Sequence, residues 1–145
     1  MGEQLHVDLG ALVSAAGDAI VVADPEGMIR FWNPAAERIF GFTAGEALGS
    51  SLDLIIPERF RARHWTGYHE VMRTGRTRYG ADVLRVPALW KDGQRLSIAF
   101  TVALLQANGR VTGIAAIVRD ETARWEEEQR VQRRLAELEG RRPLA

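Results

Sequence analysis

The sequence predicts an α+β domain in which five strands and several short helices share one core. Three observations carry that reading. An apolar run, a Pro-Glu-Gly turn and a second run lead into an Asn-Pro helix start. In the second half, Asp92-Gly93 and Asn108-Gly109 separate three strand-like runs as hairpin turns do. Between these halves lies a series of helix start and stop signals. With 145 residues the chain is long enough for one domain with a substantial core.

Residues 1–7 show no periodicity, and we expect a flexible N-terminus over 1–8. His6 lies there and reads as solvated. Leu9, Leu12, Val13 and Ala16 suggest a short amphipathic helix that Asp8 could cap. Residues 19–23 form a compact apolar strand. Asp24-Pro25-Glu26-Gly27 suits a type I turn, and 28–32 returns as a second strand. Asn33 as N-cap and Pro34 at the first position start a helix that carries Ala36, Ile39 and Phe40 inward and stops at Gly41. Thr43 and Glu46 make a capping box for another short helix, ending near Gly49. Leu52, Leu54, Ile55 and Ile56 read as a turn of helix or an extended link. A longer helix from Pro57 ends near Thr74-Gly75. Residues 76–80 read as a loop or the start of a strand. Strands follow over 83–90, 95–105 and 111–118. From Thr122 the pattern turns helical and charged, with Val131, Leu135 and Leu138 stepping by four and three. That is little more than one heptad of a seam. The expected division is a domain over 9–121, a helix over 122–139 and a tail over 140–145.

Composition excludes several functions. Net charge is zero, which argues against a nucleic-acid surface. The longest apolar runs are far too short to span a bilayer, and no basic region followed by an apolar one opens the chain, so a cytoplasmic protein is expected, with no membrane partner. The absence of cysteine excludes disulfides, thiolate metal sites, iron–sulfur clusters and thioether-linked cofactors. No phosphate-binding glycine loop or nucleophile elbow occurs, and none of Ser14, Ser50, Ser51 and Ser97 has a base in motif context. A non-enzyme is expected.

The informative stretch is 57–72. Phe60, His64, Gly67, Tyr68 and Val71 follow the spacing of one helix face, so a histidine interrupts an apolar stripe. Gly67 stands one turn on, where alanine would favour the helix by roughly 1 kcal/mol. Two readings are open. His64 is a core histidine with a hydrogen-bond partner, or it is an imidazole offered to a bulky ligand. His69 points elsewhere, which argues against a two-histidine metal site on this helix.

The order of hairpin, Asn33-Pro34-Ala35-Ala36-Glu37-x-x-Phe40-Gly41, Glu46-x-x-Gly49, Lys91-Asp92-Gly93 and a closing Val118-Arg119-Asp120-Glu121-Thr122 resembles a PAS domain over roughly residues 10–122. The resemblance implies a five-stranded antiparallel sheet with short helices over one face and a C-terminal helix that carries the signal to an effector. Pro57-Glu58-x-x-Arg61-x-Arg63-His64 is similar to the haem-binding branch, namely the FixL-type oxygen sensors and the direct oxygen sensor phosphodiesterase. That likeness implies haem b with His64 as its iron ligand, a pocket lined by Phe60, Gly67, Tyr68, Val71, Leu84, Phe100 and Val102, and a diatomic gas as partner. Arg59, Arg61, Arg63, Arg73, Arg76 and Arg78 could pair with haem propionates or form a solvated basic face. Trp65 and Trp90 could edge the pocket.

The distal side departs from the family. Where the oxygen sensors carry an arginine this chain has Leu84, and where the phosphodiesterase carries a methionine it has Asp82. Arg85 should point to the other face of its strand. Arg78 and Tyr79 are further distal candidates. An apolar distal site favours carbon monoxide or nitric oxide over oxygen. The alternative is a PAS dimerisation and relay module that holds another ligand, a non-covalent flavin such as FAD, or none. Light-sensing flavin domains need a cysteine that is absent here. A homodimer and an unidentified effector are the expected partners in either case.

Overall fold

The computed structural model describes residues 6–77 and 82–141. The chain runs α1 (Leu9–Ala15), β1 (Ala19–Ala23), β2 (Ile29–Trp32), α2 (Pro34–Phe40), α3 (Ala44–Ala47), a 3-10 turn (Leu52–Ile55), α4 (Glu58–Thr74), β3 (Leu84–Leu89), β4 (Arg95–Ala107), β5 (Arg110–Asp120) and α5 (Thr122–Gly140). The strands form one antiparallel sheet in the order β2-β1-β5-β4-β3, so the first hairpin and the last three strands join through β1 and β5.

Local chemistry accounts for the element boundaries. Asp24 accepts hydrogen bonds from the Glu26 and Met28 amides and from Arg30, which fixes the β1–β2 turn. Burial pushes its carboxyl up, and the Met28 amide, Arg30 and the Glu26 amide together reverse that, leaving it below its ordinary value. The Thr43–Glu46 capping box forms with both reciprocal bonds. Pro57 precedes α4 as its cap residue rather than lying within the first turn, and residues 52–55 resolve as a short 3-10 helix. Strand β4 reaches two residues further toward its turn than the apolar pattern indicates, and β5 begins one residue earlier and ends two later.

The inner sheet face carries Ala19, Val21, Ala23, Trp32, Ile98 and Val118, all buried against Ala36, Phe40 and Ala47 of the first short helices. Asn33 is 1% exposed and fully used. Its Oδ1 accepts from the Ile20 and Ala36 amides at 2.9 and 3.0 Å, and its Nδ2 donates to the carbonyls of Val13 and Asp18. One side chain therefore caps α2 and ties α1 to the start of β1.

Candidate functional site

The site is built on α4, a helix of 17 residues. Glu58 in its first turn and Arg73 in its last both suit the helix dipole. Three side chains seat it. Trp65 Nε1 donates to Asp53 Oδ1 at 2.8 Å, and Tyr68 Oη donates to the Asp24 carbonyl at 2.5 Å. Arg61 donates to the carbonyls of Ile56 and Asp53. The edge of the Trp65 ring abuts the β1–β2 turn: a Cβ on Gly27 would come within 2.1 Å of it, and Gly27 has φ +83°. Glycine is required there twice over, for the left-handed backbone and for the close approach.

The face that α4 buries is therefore centred on Trp65, Tyr68 and Met72. This overlaps the stripe that spacing alone suggests in Tyr68 and adds Trp65 and Met72. Phe60 and Val71 are half-buried, whereas Gly67 is exposed and has open space where a Cβ would stand. Gly67 packs against nothing in this structure. Trp65 joins this face through its hydrogen bond to Asp53, which hydrophobic periodicity does not register.

His64 sits at the margin of that face. Its ring makes an edge contact with Trp65 at 4.7 Å between centroids and lies 5.6 Å from Tyr68. Its Nδ1 is buried with no hydrogen-bond partner. Leaving such a group unsatisfied costs about 1–3 kcal/mol. Burial pushes the imidazole pKa below its ordinary value of 6.5; Asp53 opposes the shift and His69 adds to it. The side chain is thus a neutral imidazole at physiological pH, the form that ligates metals. Burial and then the charges of Asp24 and Glu26 push the Tyr68 phenol well above its usual range, so it remains a hydrogen-bond donor.

The sheet side is apolar. Leu84 on β3 stands directly opposite Phe100 on β4, and Val102 opposite Ala116 on β5. Val86, two residues beyond Leu84 on the same face, is 39% exposed. Arg85 lies on the other face, with its Nε 3.3 Å from Glu121 Oε2. Asp82 is exposed. Arg78 and Tyr79 fall outside the described residues. An open cleft of about 750 Å³ lies between the start of α4 and the β3–β4 turn, lined by Pro57, Glu58, Arg59, Arg61, Leu89 and Arg95 among others. His64 is not among its lining residues. Of the neighbouring arginines, Arg59 stacks on Phe60 at 4.6 Å and Arg73 pairs with Glu70. Sequence reasoning missed Asp24 and Asp53 as the anchors of α4; a turn aspartate and a 3-10 helix aspartate carry no signal of a partner 44 or 12 residues away.

Does this arrangement fit haem? No group of three or more His, Asp or Glu residues gathers among the described residues, so a bare ion lacks ligands. A metal that arrives with a macrocycle's four nitrogens needs one protein ligand. His64, a neutral imidazole with an unsatisfied Nδ1 beside an open helix surface at Gly67, offers one such ligand.

The family described as PAS fold matches residues 13–126. Sensor protein FixL of Bradyrhizobium diazoefficiens is 31% identical over 132 residues, covering 90% of this chain and 25% of that protein. Oxygen sensor protein DosP of Escherichia coli is 29% identical over 92 residues, covering 63% of this chain and 11% of that protein. The chain therefore spans a quarter or less of the length of these relatives. Among solved structures, an RNA-binding Light-Oxygen-Voltage receptor is similar with a TM-score of 0.68 and 25% identity, covering 91% of this chain and 36% of that one. No helix among the described residues is long and apolar enough to cross a membrane.

Proposed function

The chain belongs to the PAS fold family as a sensor domain, and from that premise we propose that it senses a diatomic gas or redox state through haem b held by His64. The observation that carries the proposal is the buried Nδ1 of His64 without a partner. Identity to a sensor protein and to an oxygen sensor protein across this segment supports it. When bound, the iron would supply a coordination position for the gas. This chain's residues supply the rest. His64 would donate a nitrogen lone pair, Trp65 and Tyr68 hold its helix in place, and Phe60, Val71, Leu84, Phe100 and Val102 would line an apolar enclosure. Leu84 has no donor for a polarised ligand, so the reduced protein is expected to take up carbon monoxide readily and to hold oxygen poorly. No catalytic step is assigned to the domain itself.

A purified chain supplied with hemin tests this. A Soret band that disappears in His64→Ala supports the assignment. A protein that stays colourless after hemin titration refutes it. Paired bands in the near-ultraviolet and blue would instead identify a non-covalent flavin such as FAD, the reading that the Light-Oxygen-Voltage neighbour favours.

A second copy of the chain is the partner that fits the exposed apolar surface. On the outer sheet face Ile20 pairs with Ile117 and Val22 with Phe31. Phe31 and Ile117 are exposed there, as are Leu9 and Leu12 on α1 and Trp125, Val131, Leu135 and Leu138 on α5. We read these as one surface for a homodimer whose paired α5 helices lead to an effector, located in the cytoplasm. Light scattering of the purified chain reads out the mass directly; a monomer at micromolar concentration contradicts the homodimer.

A further inference from the structure

Strand β3 has two faces with different neighbours. Leu84 turns to Phe100 on the ligand side of the sheet. Arg85, the next residue, reaches across the outer face past Ala99, its small and buried partner on β4, to Glu121. Glu121 is the last residue before α5, and its side chain is only 16% exposed. Its second carboxylate oxygen lies 3.7 Å from Arg124 in the first turn of α5. The other ties at this junction run to β4 or stay local: the Glu121 amide donates to the Ser97 carbonyl, the Ser97 amide donates to Thr122 Oγ1, and the Thr122 amide donates to Asp120. The Arg85–Glu121 pair spans β4 and joins α5 to the edge strand.

We infer that the Arg85–Glu121 pair is a strut that couples the ligand-facing strand β3 to the base of α5, with Glu121 shared between Arg85 and Arg124. Side chains alternate on a strand, so a ligand that displaces Leu84 from Phe100 carries Arg85 with it. Glu121 then keeps its partner within α5 and loses its partner on the sheet, which frees the helix base. The regulatory part of this inference rests on the haem reading above; the strut itself does not. Arg85 is a positioning residue, acting on α5 through Glu121.

Two measurements decide it. In the ligand-free chain, hydrogen exchange of the first-turn amides of α5 should speed up several-fold in Arg85→Ala and return toward the wild-type rate in Arg85→Lys, which keeps the charge facing Glu121. Wild-type exchange in Arg85→Ala overturns the strut. The second measurement uses spin labels at Gln106→Cys and Gln132→Cys, sites that are unique because the chain has no cysteine of its own. Hemin loading should shift the label distance in the wild-type background. Arg85→Ala should lose that shift while keeping its Soret band, and Arg85→Lys should recover it. A shift that survives in Arg85→Ala overturns the relay. A wild-type chain that takes up no hemin overturns the haem reading and the relay together, while the exchange data still judge the strut.

Discussion

Two polar side chains place atoms in the interior of this molecule, and they are treated differently. Asn33, in the half built from α1, β1, β2 and α2, makes four hydrogen bonds with good geometry. His64, on α4, leaves a buried nitrogen with none. A structural buried polar group looks like Asn33, because an unmade bond in the interior is costly. The first half is consistent at every level: cap, strand pairing and packing agree. In the second, α4 is seated by Trp65, Tyr68 and Arg61 while its histidine is left unsatisfied. Departures of that kind gather at functional sites.

The comparison is broken most severely at Asn33. Asn33→Ala strands the Ile20 and Ala36 amides and the Val13 and Asp18 carbonyls, and should destabilise the fold by about 3–5 kcal/mol in urea melts. A loss below about 1 kcal/mol would remove the contrast. Next in size is Gly27→Ala, which forces both a positive φ and the Trp65 ring. It should cost about 2–4 kcal/mol and red-shift tryptophan emission as α4 loses its seat. Unchanged emission would mean that Trp65 does not anchor the helix.

The largest features of the fold were legible because they are local. Asn33-Pro34, the Thr43–Glu46 box and the two hairpin turns each act over a few residues, and each appears where the sequence places it. The face of α4 was legible only in part. The stripe of Phe60, His64, Gly67, Tyr68 and Val71 contains the buried Tyr68 but misses Trp65, which is brought in by donating to Asp53, and includes Gly67, which is exposed. Nor does a sequence disclose whether a buried imidazole finds a partner. His64 was recognised from its motif; its unsatisfied nitrogen is a property of the packed structure.

A smaller effect sharpens the comparison. His64→Leu in the ligand-free chain replaces an unsatisfied group by an apolar one and should leave stability unchanged or raise it by up to about 1 kcal/mol. A clear loss would give His64 the same structural role as Asn33. The smallest effect is pH-dependent. The folded pKa of His64 lies below its unfolded value of 6.5, so the folded state disfavours the imidazolium. Stability from the neutral ring is fully present above 6.5 and is lost as pH falls from there through the folded pKa. The wild type should therefore lose stability relative to His64→Leu as the pH falls below 6.5. Parallel pH profiles for the two proteins would contradict a neutral buried imidazole.

The most direct test of the central claim is resonance Raman spectroscopy of the reduced, hemin-loaded chain, with and without nitrogen-15 histidine. The sequence has three histidines, so single replacements of His6, His64 and His69 assign the result. The account predicts an iron–histidine stretching band that shifts with the isotope, survives replacement of His6 or His69, and disappears in His64→Ala. A band that persists in His64→Ala, or its absence from the loaded wild type, contradicts it.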